Sequence, residues 1–139
     1  MSTLQIILVV IVAFIVGCSS VNDQLETYQP IVACSLIGLV TGHLELGVML
    51  GGSLQLITMG WANVGAAMAP DAALAGVASA IILIEGNQGS QGIGPAIALA
   101  VPLAVAGLGL TMLVRTATVF IAHIMDSRAE EADINGIQI

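Results

Sequence analysis

The chain has 139 residues, 58% of them hydrophobic and only 8% charged, with a mean hydropathy of +1.05. Soluble domains carry roughly 25% charged residues, so this composition argues against one, and the high hydrophobicity excludes disorder. Two basic residues against nine acidic ones give a formal charge of −7. That excludes a nucleic-acid binder working by phosphate neutralisation, which needs clustered Lys and Arg. The solvent of such a chain is largely lipid.

Charges are absent from residues 1–22, 27–44, 46–70, 72–84 and 86–114. Asp23, Glu26, Glu45, Asp71 and Glu85 stand between these windows, and the rest lie near the C-terminus. The first apolar segment runs from Leu4 to Cys18, bracketed by Gln5 and Ser19. Ile15-Val16-Gly17-Cys18 resembles a lipoprotein cleavage box, but no positive n-region precedes it. A membrane sequence follows it, which argues against lipidation. Cys18 and Cys34 have no metal-ligand spacing and no paired framework. They read as two small buried residues.

Three short segments follow: Ile31 to Gly42, Leu46 to Gly60 and Ala72 to Ile84. Each falls below the about 20 apolar residues of a simple transmembrane helix. Short, glycine-broken apolar segments point to re-entrant hairpins and broken helices, which survive in a membrane only where protein or a wet cavity covers them. In transporters such breaks mark the substrate site. Gly38 and Gly42 are four apart, as are Gly47 and Gly51, a spacing that lets helix backbones approach in lipid. Only Ile93 to Val114 is long enough to span cleanly, and it contains Pro95 and Pro102. Arg115 and Arg128 follow it, so it is expected to run from outside to inside. The fold expected is all-α and integral to the membrane, with broken transmembrane helices and re-entrant hairpins, one half of an inverted-repeat transporter. Residues 1–125 form the membrane-embedded part. Residues 126–139 are expected to form a polar cytoplasmic tail or linker, with a short helix through Ala129 and Ala132 and a turn at Asn135-Gly136.

The stretch from Gly51 to Ala75 carries the chemistry. Its polar groups are few and differ in kind: Gln55, Trp61, Asn63 and Asp71. A polar residue in a membrane segment is costly and is a functional candidate by default. A neutral sugar presents hydroxyls that both donate and accept. Amides match both roles, and a carboxylate accepts strongly. An indole offers an apolar face to sugar C–H groups. A phosphate or carboxylate substrate would call for Arg or Lys instead. Gln88, in the loop Gly86–Gly94, is a fifth candidate. Plainer roles stand beside these. Asp71, after Pro70, suits a helix N-cap, Trp61 an interface anchor, Asn63 a broken backbone, and Gln55 a bond between helices. His43 and Glu45 flank a turn and read as interfacial, while Glu85 reads as a rim residue or a proton-sensitive group. No nucleophile turn and no His/Cys metal spacing is present. No cofactor is expected.

Gly51-Gly52-Ser53-Leu54-Gln55, Gly60-Trp61-Ala62-Asn63-Val64-Gly65-Ala66-Ala67 and Ala69-Pro70-Asp71-Ala72-Ala73 together resemble the signature of the enzyme IIC subunit of mannose-type (mannose–fructose–sorbose) sugar phosphotransferase systems. Pro30 to Cys34, Gly38 to Gly42, Ile97 to Ala104 and Val114-Arg115-Thr116 extend it through nearly the whole chain. Members of that family are longer, and the resemblance covers their amino-terminal half. It implies a multi-pass subunit of the bacterial cytoplasmic membrane that pairs with enzyme IID, in an oligomer, and carries a hexose of the mannose or glucose type inward. Cytoplasmic IIA and IIB domains, fed by HPr, would phosphorylate the sugar. It also implies a role as a bacteriocin receptor. A different reading is a membrane scaffold or bacteriocin-receptor component that pairs with IID without moving sugar.

Overall fold

The computed structural model describes residues 2–22, 26–61, 64 and 67–130. Among these residues five α-helices follow one another: α1 (Thr3–Asn22), α2 (Pro30–Thr41), α3 (Leu44–Thr58), α4 (Ala72–Gly86) and α5 (Ile93–Glu130). A 3₁₀ turn, Gly89–Gly92, precedes α5. No strand is assigned among the described residues; Val64 and Ala67 form one isolated bridge. Each expected apolar segment is a helix.

Local sequence explains the helix ends. At the start of α1, the Ser2 N–H donates to Gln5 Oε1 at 2.8 Å and the Gln5 N–H to Ser2 Oγ at 3.4 Å. This reciprocal pair is a capping box. Helix α2 opens with Pro30, whose missing N–H costs nothing at that position. It ends in a Schellman-type turn: the His43 N–H donates to the Gly38 carbonyl at 2.7 Å and the Gly42 N–H to that of Leu39 at 3.3 Å. Gly42 adopts φ 83°, a left-handed conformation that suits glycine. A Cβ at Gly42 would meet nothing within 4 Å, so only the backbone would object. Gly42→Ala is expected to lower stability by about 1 kcal/mol, read as a lower melting temperature of the purified protein in detergent. Asn87 ends α4 at φ 50°, a conformation asparagine tolerates.

Helices α2 and α3 form a hairpin whose backbones touch. A Cβ on Gly51 would lie 2.8 Å from Ile31 Cα, and one on Gly38 would lie 3.1 Å from Gly47 Cα. A Cβ on Gly47 would run into the Cys34 carbonyl oxygen. The close-approach glycines are therefore Gly38, Gly47 and Gly51. Gly42 is the cap and not a partner of Gly38, which corrects the expected pairing. At 1.5 Å per residue, the 12 and 15 residues of these helices extend about 18 and 22 Å, short of the ~30 Å hydrocarbon core. Those are the dimensions of a re-entrant hairpin.

On the other side of α2, Gly76 of α4 sits against Pro30 and Ala33. The Cys34 thiol donates to the Gly76 carbonyl at 3.3 Å. Ile37, Leu50, Leu54, Ala75, Ala80 and Leu83 form the core, joined by Ala96, Ala100 and Ala104 of α5. Helix α1 packs on α2 with Val16 against Ala33 and Ala73. Its Gln5 Nε2 donates to the Thr41 carbonyl at 3.2 Å. Cys18, expected to be buried, is exposed, because it lies on a face of α1 that no described helix covers.

The described chain divides into two units, one through Gly107 and one from Leu108. In the second, α5 continues to Glu130, past residue 126 where the polar tail was expected to begin. Residues 112–127 are all exposed. Thr116 and Thr118 return their hydroxyl protons to the carbonyls of Met112 (2.9 Å) and Val114 (3.0 Å), so they need no outside partner. The rest of the expected tail, including the Asn135-Gly136 turn, lies outside the described residues. Residues 89–127 form a stretch long and apolar enough to cross a membrane. The other apolar helices are shorter.

Candidate substrate site

The site is built around the first turn of α2. Helix α3 delivers Gln55 to that turn from one side. Gln55 Oε1 accepts the Ile31 N–H at 3.4 Å, and its Nε2 donates to Gln29 Oε1 at 3.1 Å. Gln29 Nε2 in turn donates to the Glu26 carboxylate. Helix N-terminal N–H groups have no intrahelical partner. Gln29 makes no side-chain cap of its own, so Gln55 serves the Ile31 N–H from a neighbouring helix.

Helix α4 starts at the same end of the cluster, with Gly76 against Pro30 of α2 and Asp71 five residues before it. Ala73, two residues on, is buried with Ala33 of α2, and Tyr28 packs against that pair. Asp71 Oδ1 accepts the Leu74 N–H at 3.1 Å, the expected N-cap. Its own N–H donates to the Ala104 carbonyl of α5 at 3.1 Å. Helix α5 can come this close because residue 107 is glycine: a Cβ there would lie 3.0 Å from Asp71 Cβ and 2.7 Å from Leu74 Cδ2. Pro102 also lies in α5. It has no N–H, so the Ala98 carbonyl lacks its intrahelical donor.

Between α3 and α4 the described residues are not assigned to a helix. The Trp61 N–H donates to the Thr58 carbonyl at 2.9 Å. Its side chain is half-buried and packs against the core. Val64 and Ala67 exchange backbone hydrogen bonds of 3.1 Å in both directions. Asn63 lies outside the described residues. Gln55, Trp61 and Asp71 thus share one end of the α2–α3–α4 cluster. Gln88 is apart from them. It is exposed and follows the C-terminal end of α4, while Asp71 precedes its N-terminal end. The 15 residues between extend about 22 Å, too far for one monosaccharide to touch both. His43 and the exposed Glu45 lie at the far end of the hairpin, where His43 Nδ1 is 3.2 Å from the Thr41 carbonyl. Sequence reasoning missed Glu26, Gln29 and Gly107. Glu26 and Gln29 stand just before a proline at a helix start, a pattern that marks a cap region.

Residues 3–139 match the family model described as the sorbose-specific IIC component of the phosphotransferase system (PTS). This chain belongs to that family. It is 53% identical over 139 residues to the fructose permease IIC component of Bacillus subtilis (strain 168), covering all of this chain and 51% of the relative. It is 48% identical over 136 residues to the PTS mannose-specific EIIC component of Escherichia coli (strain K12), covering 98% and 50%. A cryo-EM structure of the mannose transporter ManYZ in complex with microcin E492 superposes with a TM-score of 0.85 at 47% identity. That match covers 99% of this chain and 54% of the other. The IIC chain therefore spans about half the length of the curated relatives it matches, their amino-terminal half. Its described residues are all-α, and the likeness to membrane transporter structures makes it a membrane protein.

Proposed function

We propose that this IIC chain is part of a multi-pass permease of the bacterial cytoplasmic membrane that binds a neutral hexose and carries it inward. The sugar contacts proposed are Gln55, Trp61, Asn63 and Asp71, with Gln88 set apart from them. The observation that supports this reading is that Gln55, which serves the first turn of α2, and Asp71, which caps α4, each keep bonding capacity left over. After its two hydrogen bonds, the Gln55 amide keeps one acceptor lone pair and one N–H. A carboxylate that caps one N–H keeps lone pairs for a sugar hydroxyl. No Lys or Arg occurs between residues 1 and 114, which suits an uncharged substrate. The names of the relatives, fructose, mannose and sorbose permease components, agree with a hexose.

The partners proposed are enzyme IID in the membrane and the IIA and IIB domains that phosphorylate the arriving sugar. In this arrangement α5 runs from outside to inside. A second reading, a receptor for a bacteriocin, is favoured by the likeness to a mannose transporter captured with microcin E492. The two are separated by measuring uptake of mannose, fructose and sorbose in cells lacking their own mannose-type permease. The chain is expressed with IID and IIAB partners, with and without a carboxy-terminal IIC half. Uptake that requires the second half is the expected result. Normal membrane insertion and pairing with IID, but no uptake in either case, would favour the receptor or scaffold reading.

A further inference from the structure

The amides of Gln55 and Gln29 form a relay with a fixed direction. A backbone N–H can only donate, so the Ile31 N–H requires the oxygen of Gln55 to face it. The Gln55 nitrogen must then face Gln29, and accordingly meets Gln29 Oε1 at 3.1 Å. The Gln29 nitrogen is left facing Glu26, whose carboxylate only accepts and receives its N–H. Both ends of the chain of bonds are locked, one by a donor and one by an acceptor, so neither amide can turn over. The fold invests in this arrangement. Glu26 is held at φ 53°, a region uncommon for a residue other than glycine. Its carbonyl accepts the Gln29 N–H at 3.0 Å, and its charge lies near the positive end of α2.

We infer that Glu26 and Gln29 are positioning residues that set the orientation of the Gln55 amide. They thereby decide that one lone pair and one N–H of Gln55 remain for a ligand hydroxyl. This rests on the reading of Gln55 as a sugar contact. The relay makes a specific demand on substitutions. Gln55→Glu still accepts from Ile31 but offers Gln29 an oxygen where it had an N–H. Gln29 then has to turn its nitrogen toward position 55, which drives its oxygen against the Glu26 carboxylate. Glu26→Gln removes that conflict, because an amide at 26 donates to the turned Gln29. The double variant is a relay with its direction reversed and every bond satisfied.

The test is a double-mutant cycle in the intact permease assembled with its partner membrane subunit, read by the KM of hexose uptake and by the melting temperature without sugar. Gln55→Glu alone is expected to raise KM roughly tenfold, the scale of one hydrogen bond involving a charged group, and to lower the melting temperature. Glu26→Gln alone replaces the acceptor-only lock with an amide that can also donate, and is expected to raise KM severalfold, less than Gln55→Glu does. The double variant recovers the melting temperature and part of the KM, since a carboxylate at 55 keeps its acceptor lone pairs but has no N–H for the ligand. If Glu26→Gln restores neither quantity, the relay does not set the amide and the inference is overturned, while a KM that still responds to Gln55→Glu leaves the sugar-contact reading standing. If the melting temperature follows the cycle but KM is flat throughout, the orientation is confirmed and the sugar-contact reading falls.

Discussion

Gly51→Ala is expected to destabilise the IIC chain while Gly52→Ala, one residue away on the same helix, stabilises it. In a helix interior alanine is favoured over glycine by up to about 1 kcal/mol, and a Cβ at Gly52 meets nothing within 4 Å. At Gly51 the same methyl would lie 2.8 Å from Ile31 Cα, 3.0 Å from the Pro30 carbonyl oxygen and 3.1 Å from Cys34 Cβ. The first two are backbone, so no rotamer change relieves them; α2 and α3 have to separate. Overpacking costs typically about 1–3 kcal/mol, and this site belongs at the upper end because Gly76 holds α2 from its other side. Separation also pulls the Gln55 oxygen from the Ile31 N–H, so sugar uptake falls with stability. Thermal unfolding of the two single variants in detergent checks the opposed signs. Equal shifts would mean that the hairpin yields at no cost.

Much of the architecture was legible because its signals are local. Charge-free windows, glycines and prolines marked the five helices, and Pro70-Asp71 marked the start of α4 as an N-cap. What could not be read was long-range or ambiguous at short range. Glycines four apart look alike whether they pack or cap. Gly47 and Gly51 pack against α2, while Gly42 ends it, and only the partner helix tells them apart. The run ending at Val114 was bounded by Arg115, yet one arginine does not stop a helix whose next threonines bond back to their own carbonyls. The second bond of Gln55 goes to Gln29, 26 residues earlier, and no local pattern reports such a pairing. Gln88 drew notice through a polar, glycine-rich setting. Composition marks a loop but not which end of a helix it occupies, and the fold places it at the far end of α4 from Asp71.

Asp71 does two jobs in the proposed site, and substitutions separate them. Its Oδ1 caps α4 through the Leu74 N–H, and its charge makes it a strong acceptor for a hexose hydroxyl. Asparagine caps about as well as aspartate, so Asp71→Asn is expected to keep the melting temperature. It gives up the charge, and a hydrogen bond to a charged group contributes about 1.5–3 kcal/mol, so uptake at low sugar concentration should fall by roughly 10- to 100-fold. Asp71→Ala removes the cap as well and should cost about 1 kcal/mol of stability in addition. Gly107→Ala reaches the same residue from behind. Its methyl would stand 3.0 Å from Asp71 Cβ, while the clash with Leu74 is with the movable end of a side chain. Displaced but still charged, Asp71 should then lose uptake with less loss of stability than Asp71→Ala. Uptake kinetics beside melting temperatures for the three variants decide the matter. If Asp71→Asn transports hexose as the native chain does, the carboxylate is a helix cap alone, and the sugar must be held by other groups.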